Sequence, residues 1–408
     1  MSKDKKPLEG LFVVELSTYV AAPTCAKLLA DMGAEVIKIE GPGGDAWRGV
    51  AGGVYYENPC FDYCNTGKKN IVLDLKAPEG MEALMRLLAR ADIFITNVRG
   101  QSRKKLGLDS ETIRAKFPSL IYAALTGYGE KGAEANVPSF DSVAFWARSG
   151  FMADMGVKTE HSYPVTSPIG MGDSVTGMIL YAGILTALIR RQQTGEGDYV
   201  SASLYNAALW SAGGMVLTAQ DPWVKRPTTR EQCRPEWSAF LCKDGEWLQM
   251  SIMNARQQIY EFYEVLGYPD ILKDPRYATE EGRIKNNADL LKLAEKTFIT
   301  KTTAEWEALF SAVDVACVKL NHFVDVPTNQ QAWDNDYLQH FRYPSGKERV
   351  MPVSPVRMES QGVCYAQPAR LFGQDTAQVL AEVGYAQGEI DALAASGAVV
   401  LGKSEPEL

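Results

Sequence analysis

The stretch LFVVELSTYVAAPTCAKLLADMGAEVIKIE, residues 11–40, predicts how the first part of the chain folds. Its apolar run 11–16 predicts a buried strand. Residues 23–32 predict a helix, because Pro23 stands near its first turn and Gly33 just after its end. Residues 35–39 predict a second strand, so that strand, helix and strand follow one another as in a parallel sheet.

The same alternation continues outward along the chain. Further strands are expected at 70–74, 92–96 and 119–125, and helices at 78–90 and 109–116. Apolar strands that alternate with amphipathic helices indicate an α/β fold with a doubly wound parallel sheet. Ligands bind at the carboxyl ends of the strands in such sheets. The loops expected to line a site are therefore 17–22, 97–105 and 126–132.

The later part of the chain has a different pattern of predicted helices and strands. A helix is expected over 174–192, apolar on nearly all sides and hence buried, followed by a strand at 199–204. After about residue 220, short antiparallel strands within 236–253 and several helices predict a smaller α+β domain. The helices of this domain are expected at 255–266, 288–299 and 303–312. After them, short strands are expected within 345–360 and two further helices at 375–384 and 388–396.

Composition points to a cytoplasmic protein. The net charge of −8 argues against nucleic acid as a partner. No signal peptide is recognised, and the apolar run 178–189 is too short to cross a bilayer. None of the three histidines lies near Cys60 and Cys64, so reduced thiols are expected and no metal site. The seven scattered cysteines are Cys25, Cys60, Cys64, Cys233, Cys242, Cys317 and Cys364.

Two groups of basic residues are notable in this acidic chain. Residues 99–105, RGQSRKK, carry four cations and no acid, and Lys68, Lys69 and Lys76 form the second group. Such runs usually mark a solvated surface. In the loops of an acidic protein they also suit the phosphates of an anionic cofactor. The residues alone leave both interpretations open.

A nicotinamide dinucleotide site is excluded by the first loop. Such a site needs glycines after the first strand, where the backbone approaches a pyrophosphate. Here the loop is STYVAAP, residues 17–23, with the bulky Tyr19 and Val20 and no glycine. No P-loop, GxSxG or HExxH motif is present either.

The stretch GMGDSVTG, residues 170–177, stands just before the long helix. Asp173 has two interpretations: a helix N-cap, or a nucleophile. A helix N-terminus favours an ionised carboxylate, and flanking glycines leave it accessible to a substrate. Spacing alone does not separate the two.

GMGDSVTG resembles the G-x-G-D-x-x-x-G signature of class III CoA-transferases. Six further stretches resemble that family besides residues 8–40: CNTGKKNIVLDLKAPEG, ADIFITNVRG, ALTGYGEKG, TGEGDYVSASL, DPRYAT and VLAEVGY. The resemblance implies that Asp173 takes the acyl group as a mixed anhydride and then CoA as a thioester. It implies acyl-CoA as a substrate, with no tightly bound cofactor and no metal.

The resemblance also assigns CoA contacts residue by residue. They fall on Tyr19 in the first loop, Leu73 and Lys76 in LDLK, Asn97 in TNVRG and Tyr128 in TGYGE. Where the family has an arginine in the basic run, this chain has Lys105, with Arg103 and Lys104 beside it. Lysine binds phosphate as a point charge, without the paired hydrogen bonds of a guanidinium group.

Two departures from the family pattern narrow the activity. Formyl-CoA transferases carry glutamine where this chain has Val20, and their glycine-rich loop is not found. Racemases of the same fold use a histidine base where this chain has Phe140, which cannot take a proton.

Residues 128–150 are most similar to phenyllactate and 2-hydroxyisocaproate CoA-transferases of amino-acid fermentation, which act on (R)-2-hydroxy acids. Phe145 and Trp146 either border an acyl pocket or belong to the core. Three alternatives remain: a carnitine-type transferase, which would need an aromatic cage, a CoA-ester racemase or epimerase of the same fold, and a non-catalytic CoA-ester binding protein.

The family also implies the domain organisation and an interlocked homodimer. The expected large Rossmann-like domain is discontinuous. Its segments are 1–205 and 345–408, the small domain is 225–335, and the linkers are 206–224 and 336–344.

Overall fold

The structure is a computed structural model that describes residues 5–52, 57–156, 164–221, 227–253, 258–364 and 366–402. The strands are β1 Phe12–Leu16, β2 Glu35–Glu40, β3 Lys69–Leu73, β4 Ile93–Thr96, β5 Ile121–Thr126, β6 Tyr199–Ser203, β7 Ala239–Leu241, β8 Trp247–Ser251, β9 Ala316–Lys319, β10 Leu338–Arg342, β11 Glu348–Pro352 and β12 Val399–Val400. The helices are α1 Ala21–Asp31, α2 Pro59–Asn65, α3 Pro78–Leu88, α4 Gly100–Lys105, α5 Ser110–Lys116, α6 Phe151–Asp154, α7 Met171–Thr194, α8 Leu204–Ser211, α9 Gly213–Thr218, α10 Gln258–Val265, α11 Glu280–Lys285, α12 Asn287–Phe298, α13 Thr303–Ser311, α14 Gln330–Asp334, α15 Thr376–Glu382 and α16 Gln387–Ser396.

The main sheet has the order β12-β3-β2-β1-β4-β5-β6. All its neighbours are parallel except β12, which pairs antiparallel with β3 at the edge. The order of β1 to β6 is that of a doubly wound sheet whose direction reverses between β1 and β4. The α/β fold predicted from the alternating pattern is confirmed, and the antiparallel edge strand is an addition to it.

Each face of the sheet is covered by helices. Alternate strand residues such as Val14 and Ile37 pack with α3, α5, α15 and α16 in one buried cluster. α1 contacts β1, β2 and β4, and α7 contacts β5 and β6. Because the strands are buried on both faces, they are almost continuously apolar, which made them recognisable in the sequence.

α1 and α7 pack closely against each other at Gly177. A Cβ on Gly177 would lie 2.5 Å from the carbonyl oxygen of Ala21 and 3.0 Å from Cβ of Thr24. The missing side chain therefore lets the second turn of α7 approach the first turn of α1. This contact places the start of α7 beside the loop that follows β1.

The expectation for the long helix is wrong in two details. α7 begins at Met171, three residues before the predicted start, and its N-cap is Gly170. It is also not buried on all sides, because Met178, Ile179 and Ile189 are exposed while Leu180 and Ile184 are buried. α7 has the length and apolar composition of a membrane span, but its buried side belongs to the core of the α/β unit.

Contacts divide the chain into two compact units. The first comprises Met1–Phe151, Thr166–Leu217 and Asn329–Leu408, and the second comprises Met152–Val165 and Thr218–Thr328. The division drawn from the sequence differs because it gave all of 1–205 to the large domain. Residues 254–257, part of a predicted helix, lie outside the described residues.

The second unit has its own sheet and core. β7, β8 and β9 form an antiparallel sheet. Helices α10, α12 and α13 supply the core residues Phe262, Phe298 and Phe310. β9 was not predicted, and its residues alternate between exposed and half-buried.

Candidate active site

A cavity of about 550 Å³ lies at the carboxyl ends of β1, β2, β4 and β5 in the first unit. It spans the point between β1 and β4 where the strand order reverses, which is the usual ligand position in such sheets. It is lined by residues 16–19, 39–41, 97–100, 125–127, 139–142 and 167–170 and by Ala21, Trp47, Ala135, Val137, Asp173 and Leu204. Parts of all three loops expected to line a site do so.

Asp173 lies in the first turn of α7 and lines the cavity. It is not the N-cap, because Gly170 takes that position with a φ of 72°. A Cβ on Gly172 would lie 2.2 Å from Oδ1 of Asp141 and 2.3 Å from Cγ of Phe145. The glycine before Asp173 is therefore required by space, since the start of α7 rests directly on Asp141 and Phe145.

The charge state of Asp173 differs from the expectation. Burial, and then the negative charge of Asp141, raise the pKa of Asp173 to about 7. The helix N-terminus does not outweigh these two effects. The sequence had suggested a carboxylate that is fully ionised at neutral pH. With this pKa, Asp173 instead titrates near neutral pH.

Asp141 is the functional candidate that the sequence reasoning did not single out. It is 8% exposed, lines the cavity and immediately precedes a π-helical turn, Ser142–Ala147. Burial raises the pKa of Asp141 to about 6, although backbone amides of Gly172 and Gly170 partly offset this. The comparison of residues 139–141 with the racemase motif had drawn attention to Phe140 instead of its neighbour.

The loop after β1 presents Tyr19 to the cavity. Tyr19 has a φ of 65°, an uncommon conformation for a residue with a side chain. Its backbone N–H donates to Oδ1 of Asp45 at 3.1 Å. Asn97 fixes the preceding residue twice, because its Oδ1 accepts from the N–H of Thr18 and its Nδ2 donates to the carbonyl of Thr18. The loops after β1 and β4 are thus joined beside the cavity.

A buried ion network supports this loop from below. Lys38 lies 3.4 Å from Glu15 and 3.0 Å from Asp45, and its Nζ donates to the carbonyl of Ser17 at 2.9 Å. Lys68 pairs with the other oxygen of Glu15 at 2.7 Å. Although burial opposes it, Lys38 and Lys68 hold the pKa of Glu15 below its ordinary value.

Two of the three lysines in the second basic group are engaged in ion pairs. Lys68 is buried in the ion network, and Lys69 pairs with Glu35 and Glu382. Lys76 is exposed and does not line the cavity.

Three of the predicted site residues come together in the cavity: Tyr19, Asn97 and Asp173. Leu73 is buried in the core, so any contact with CoA would come from its backbone. Tyr128 lies outside the cavity lining, with its ring 6.4 Å from that of Tyr205.

The basic run splits into residues with different surroundings. Arg103 is buried and pairs with Glu130 at 2.7 Å, whereas Lys104 and Lys105 are exposed in the last turn of α4. Arg99, which was not among the predicted site residues, lines the cavity. Its position at the N-terminus of α4 follows only from the fold.

Aromatic side chains near Asp173 have separate roles. Phe145 and Trp146 are buried and do not line the cavity, so the core interpretation of them is correct. Phe140 is 53% exposed, lines the cavity and contacts Tyr19 edge-on at 5.2 Å between ring centroids. Tyr19 and Trp47 are 6.0 Å apart. These three residues are called the aromatic wall below.

A doubly wound sheet, a cavity at its reversal point and a close carboxylate pair define a Rossmann-like α/β enzyme. The family model for CoA-transferase family III matches residues 8–376. The chain belongs to CoA-transferase family III. It is a CoA-transferase, and CoA thioesters and carboxylic acids are its substrates.

Relatives across the whole chain carry the same kind of activity in their names. The (R)-2-hydroxy-4-methylpentanoate CoA-transferase of Clostridioides difficile is 38% identical over 391 residues, covering 94% of this chain and 97% of the relative. The cinnamoyl-CoA:phenyllactate CoA-transferase of Clostridium sporogenes is 35% identical over 405 residues, covering 96% and 97%. A crystal structure of Rv3272 from M. tuberculosis has a TM-score of 0.80 at 27% identity, covering 92% and 99%.

Proposed function

We propose that the enzyme transfers CoA from an acyl-CoA or enoyl-CoA to a 2-hydroxy carboxylic acid, with Asp173 as the nucleophile. The observation that carries this proposal is the position of Asp173, which lines the cavity in the first turn of α7 beside a second buried carboxylate. Two relatives named for 2-hydroxy acids support the substrate class. Reduced hydration and a pKa near neutrality make a carboxylate more nucleophilic.

Each proposed covalent step conserves charge. An Oδ of Asp173 attacks the thioester carbonyl, a C–O bond forms, the C–S bond breaks, and the thiolate of CoA leaves with the electron pair. The thiolate then attacks the aspartyl carbonyl of the mixed anhydride, which releases the donor acid and leaves an aspartyl-CoA thioester. The acceptor carboxylate displaces CoA to form a new anhydride, and the thiolate finally takes the acceptor acyl group. The reaction exchanges one thioester for another, so we propose that it needs no metal or tightly bound cofactor.

The aromatic wall supports an apolar substrate side chain. Phe140 and Tyr19 line the same cavity as Asp173, and Trp47 extends the surface. Aromatic surface suits an aryl or a branched aliphatic group through apolar contact. The same wall would also contact a quaternary ammonium, which keeps carnitine as a second candidate acceptor. Phe140 offers no base, so racemisation is not proposed.

A panel of acids tests this proposal. The enzyme is incubated with cinnamoyl-CoA or 4-methylpentanoyl-CoA and, in separate reactions, with phenyllactate, 2-hydroxy-4-methylpentanoate, carnitine and succinate. We expect new CoA esters of the 2-hydroxy acids by mass spectrometry and a hydroxylamine-sensitive adduct on Asp173. Ester formation from carnitine or succinate alone would overturn the substrate class, and absence of any new ester would overturn the proposed donors and acceptors.

The exposed lysines of α4 are proposed to bind CoA phosphates. Replacing Lys104 and Lys105 together by Ala is expected to raise KM for the acyl-CoA about ten-fold, the equivalent of about 1.4 kcal/mol, with kcat unchanged. The difference should shrink at high salt because exposed charges are screened. Lys116→Ala, an exposed lysine at the end of α5, is the control. An unchanged KM in the double variant would show that these lysines do not contact CoA.

The remaining expectations are also proposals. A homodimer is supported by apolar side chains exposed on α7 and α8, among them Ile179, Ile189 and Trp210. Tyr19, Leu73, Lys76, Asn97 and Tyr128 remain proposed CoA contacts. Cytoplasmic localisation, the absence of nucleic acid and membrane partners, and the exact domain limits remain predictions.

A further inference from the structure

Asp141 is held against the residue that precedes Asp173. Its Oδ1 lies so close to the backbone of Gly172 that a Cβ there would approach it to 2.2 Å. The backbone amides of Gly170, Gly172 and Asp173 and the indole of Trp146 also face this carboxylate and partly offset the effect of burial on its pKa. A carboxylate that is 8% exposed and has no ion pair among the described residues is costly in a core. Its place at the cavity wall indicates a role in the chemistry there.

The two carboxylates have no cationic partner within the described part of the chain. Among the ion pairs of the described residues, none involves Asp141 or Asp173, and Arg99 lines the same cavity without pairing with either. Two close carboxylates in this condition titrate as a coupled pair and resist being ionised together.

Other titratable groups face α7 at different places. α1 presents Cys25 and Asp31 to Tyr181, about two turns beyond Asp173. α2 presents Tyr63, whose hydroxyl lies 3.2 Å from Oγ of Ser174. Of the described groups, Asp141 is the one whose charge acts on Asp173.

We propose that Asp141 is a positioning residue for the transfer reaction: its carboxylate turns the oxygens of Asp173 toward the cavity and disfavours their negative charge until the acyl group is accepted. This inference rests on the proposed role of Asp173 as the nucleophile. When Asp173 attacks, its charge passes to the substrate's carbonyl oxygen and then to sulfur. The anhydride of Asp173 is neutral, so the repulsion from Asp141 is relieved as the C–O bond forms. Asp141 thus raises the energy of the resting carboxylate relative to the acylated enzyme.

The direction of the pH dependence follows from this arrangement. The pKa of Asp173 is raised to about 7, so the reactive ionised form is present above pH 7 and is lost as the pH falls through that value. The single-turnover acylation rate of the unmodified enzyme should therefore rise through about pH 7 and level off above it.

Asp141→Asn removes the charge and keeps the shape. The acid limb of the acylation rate is expected to move to lower pH by roughly one unit, because the repulsion is gone. The plateau rate is expected to fall about 3- to 10-fold, because a less basic carboxylate is a weaker nucleophile. KM for the acyl-CoA should stay the same. A purely structural role would not move the acid limb.

Two further variants make the test decisive. Asp141→Glu keeps the charge and should keep the acid limb near that of the unmodified enzyme, even where the rate is lower. Asp62→Asn is the matched control, because Asp62 is an equally buried carboxylate that does not line the cavity and whose pKa is raised by burial. It should leave the pH profile unmoved, and melting temperatures confirm that each variant is folded.

The outcomes separate this inference from the proposed function. In one outcome, the unmodified enzyme forms an adduct on Asp173, but the acid limb of Asp141→Asn coincides with that of the unmodified enzyme. This result overturns the role of Asp141 alone. Absence of an adduct on Asp173 in the unmodified enzyme overturns both.

Discussion

Asp173→Ala is expected to slow CoA transfer about 10⁴-fold or more while CoA binding stays within about two-fold. The carboxylate is the only group proposed to accept the acyl chain, and water in its place would give hydrolysis instead of exchange. The groups proposed to bind CoA, such as Asn97 and the lysines of α4, are untouched by this change. Asp173→Asn, which keeps the volume and removes the charged oxygen, should behave in the same way. The rate is measured as formation of a new CoA ester, and the affinity by calorimetry with CoA.

Stability should move opposite to activity. A carboxylate whose folded pKa is raised is protonated more readily in the folded than in the unfolded chain, so folding is weakened as the pH rises from about 4 through 7. Asp173→Ala removes this penalty and should melt at an equal or higher temperature at pH 8. Glu111→Ala, an exposed acid in the first turn of α5, is the control and should affect neither property. Exchange of thioesters at the normal rate by Asp173→Ala would refute Asp173 as the nucleophile.

The sheet could be predicted because its strands are buried on both faces. β1 and β3 lie within one residue of their expected limits, since apolar runs flanked by helices have few alternative structures. β9 is not buried on either face and was missed. The exposed side of α7 was wrongly predicted to be buried. A sequence does not distinguish an apolar side chain on the surface of a chain from one in its core.

The candidate site was predictable only in part. The glycines around Asp173 marked the nucleophile, and the position after β1 marked Tyr19. Asp141 was not predicted because Asp173 is distant from it in sequence. Only the packing of the π-helical turn against α7 brings the two residues together. Burial, and then the charge of Asp141, reverse the expected effect on the pKa of Asp173. A helix N-terminus is visible in a sequence, whereas burial and a second carboxylate are properties of the folded chain.

Gly172→Ala is the most demanding test of this geometry. The new methyl would meet Oδ1 of Asp141 at 2.2 Å and Cγ of Phe145 at 2.3 Å, so that the first turn of α7 or the π-helical turn must move. Overpacking of this kind is expected to lower the free energy of unfolding by about 1–3 kcal/mol. A shift of the nucleophile by about 1 Å is expected to reduce kcat about 100-fold. Chemical denaturation and initial rates measure the two effects.

The control for Gly172→Ala is Gly388→Ala on α16, where a Cβ meets nothing within 4 Å. Alanine should be neutral or stabilising there by about 0.5–1 kcal/mol, because it restricts the unfolded chain and suits a helix. If Gly172→Ala were as active and stable as Gly388→Ala, the start of α7 would not rest on Asp141. Loss of activity with little loss of stability would mean that the turn yields and carries Asp173 with it.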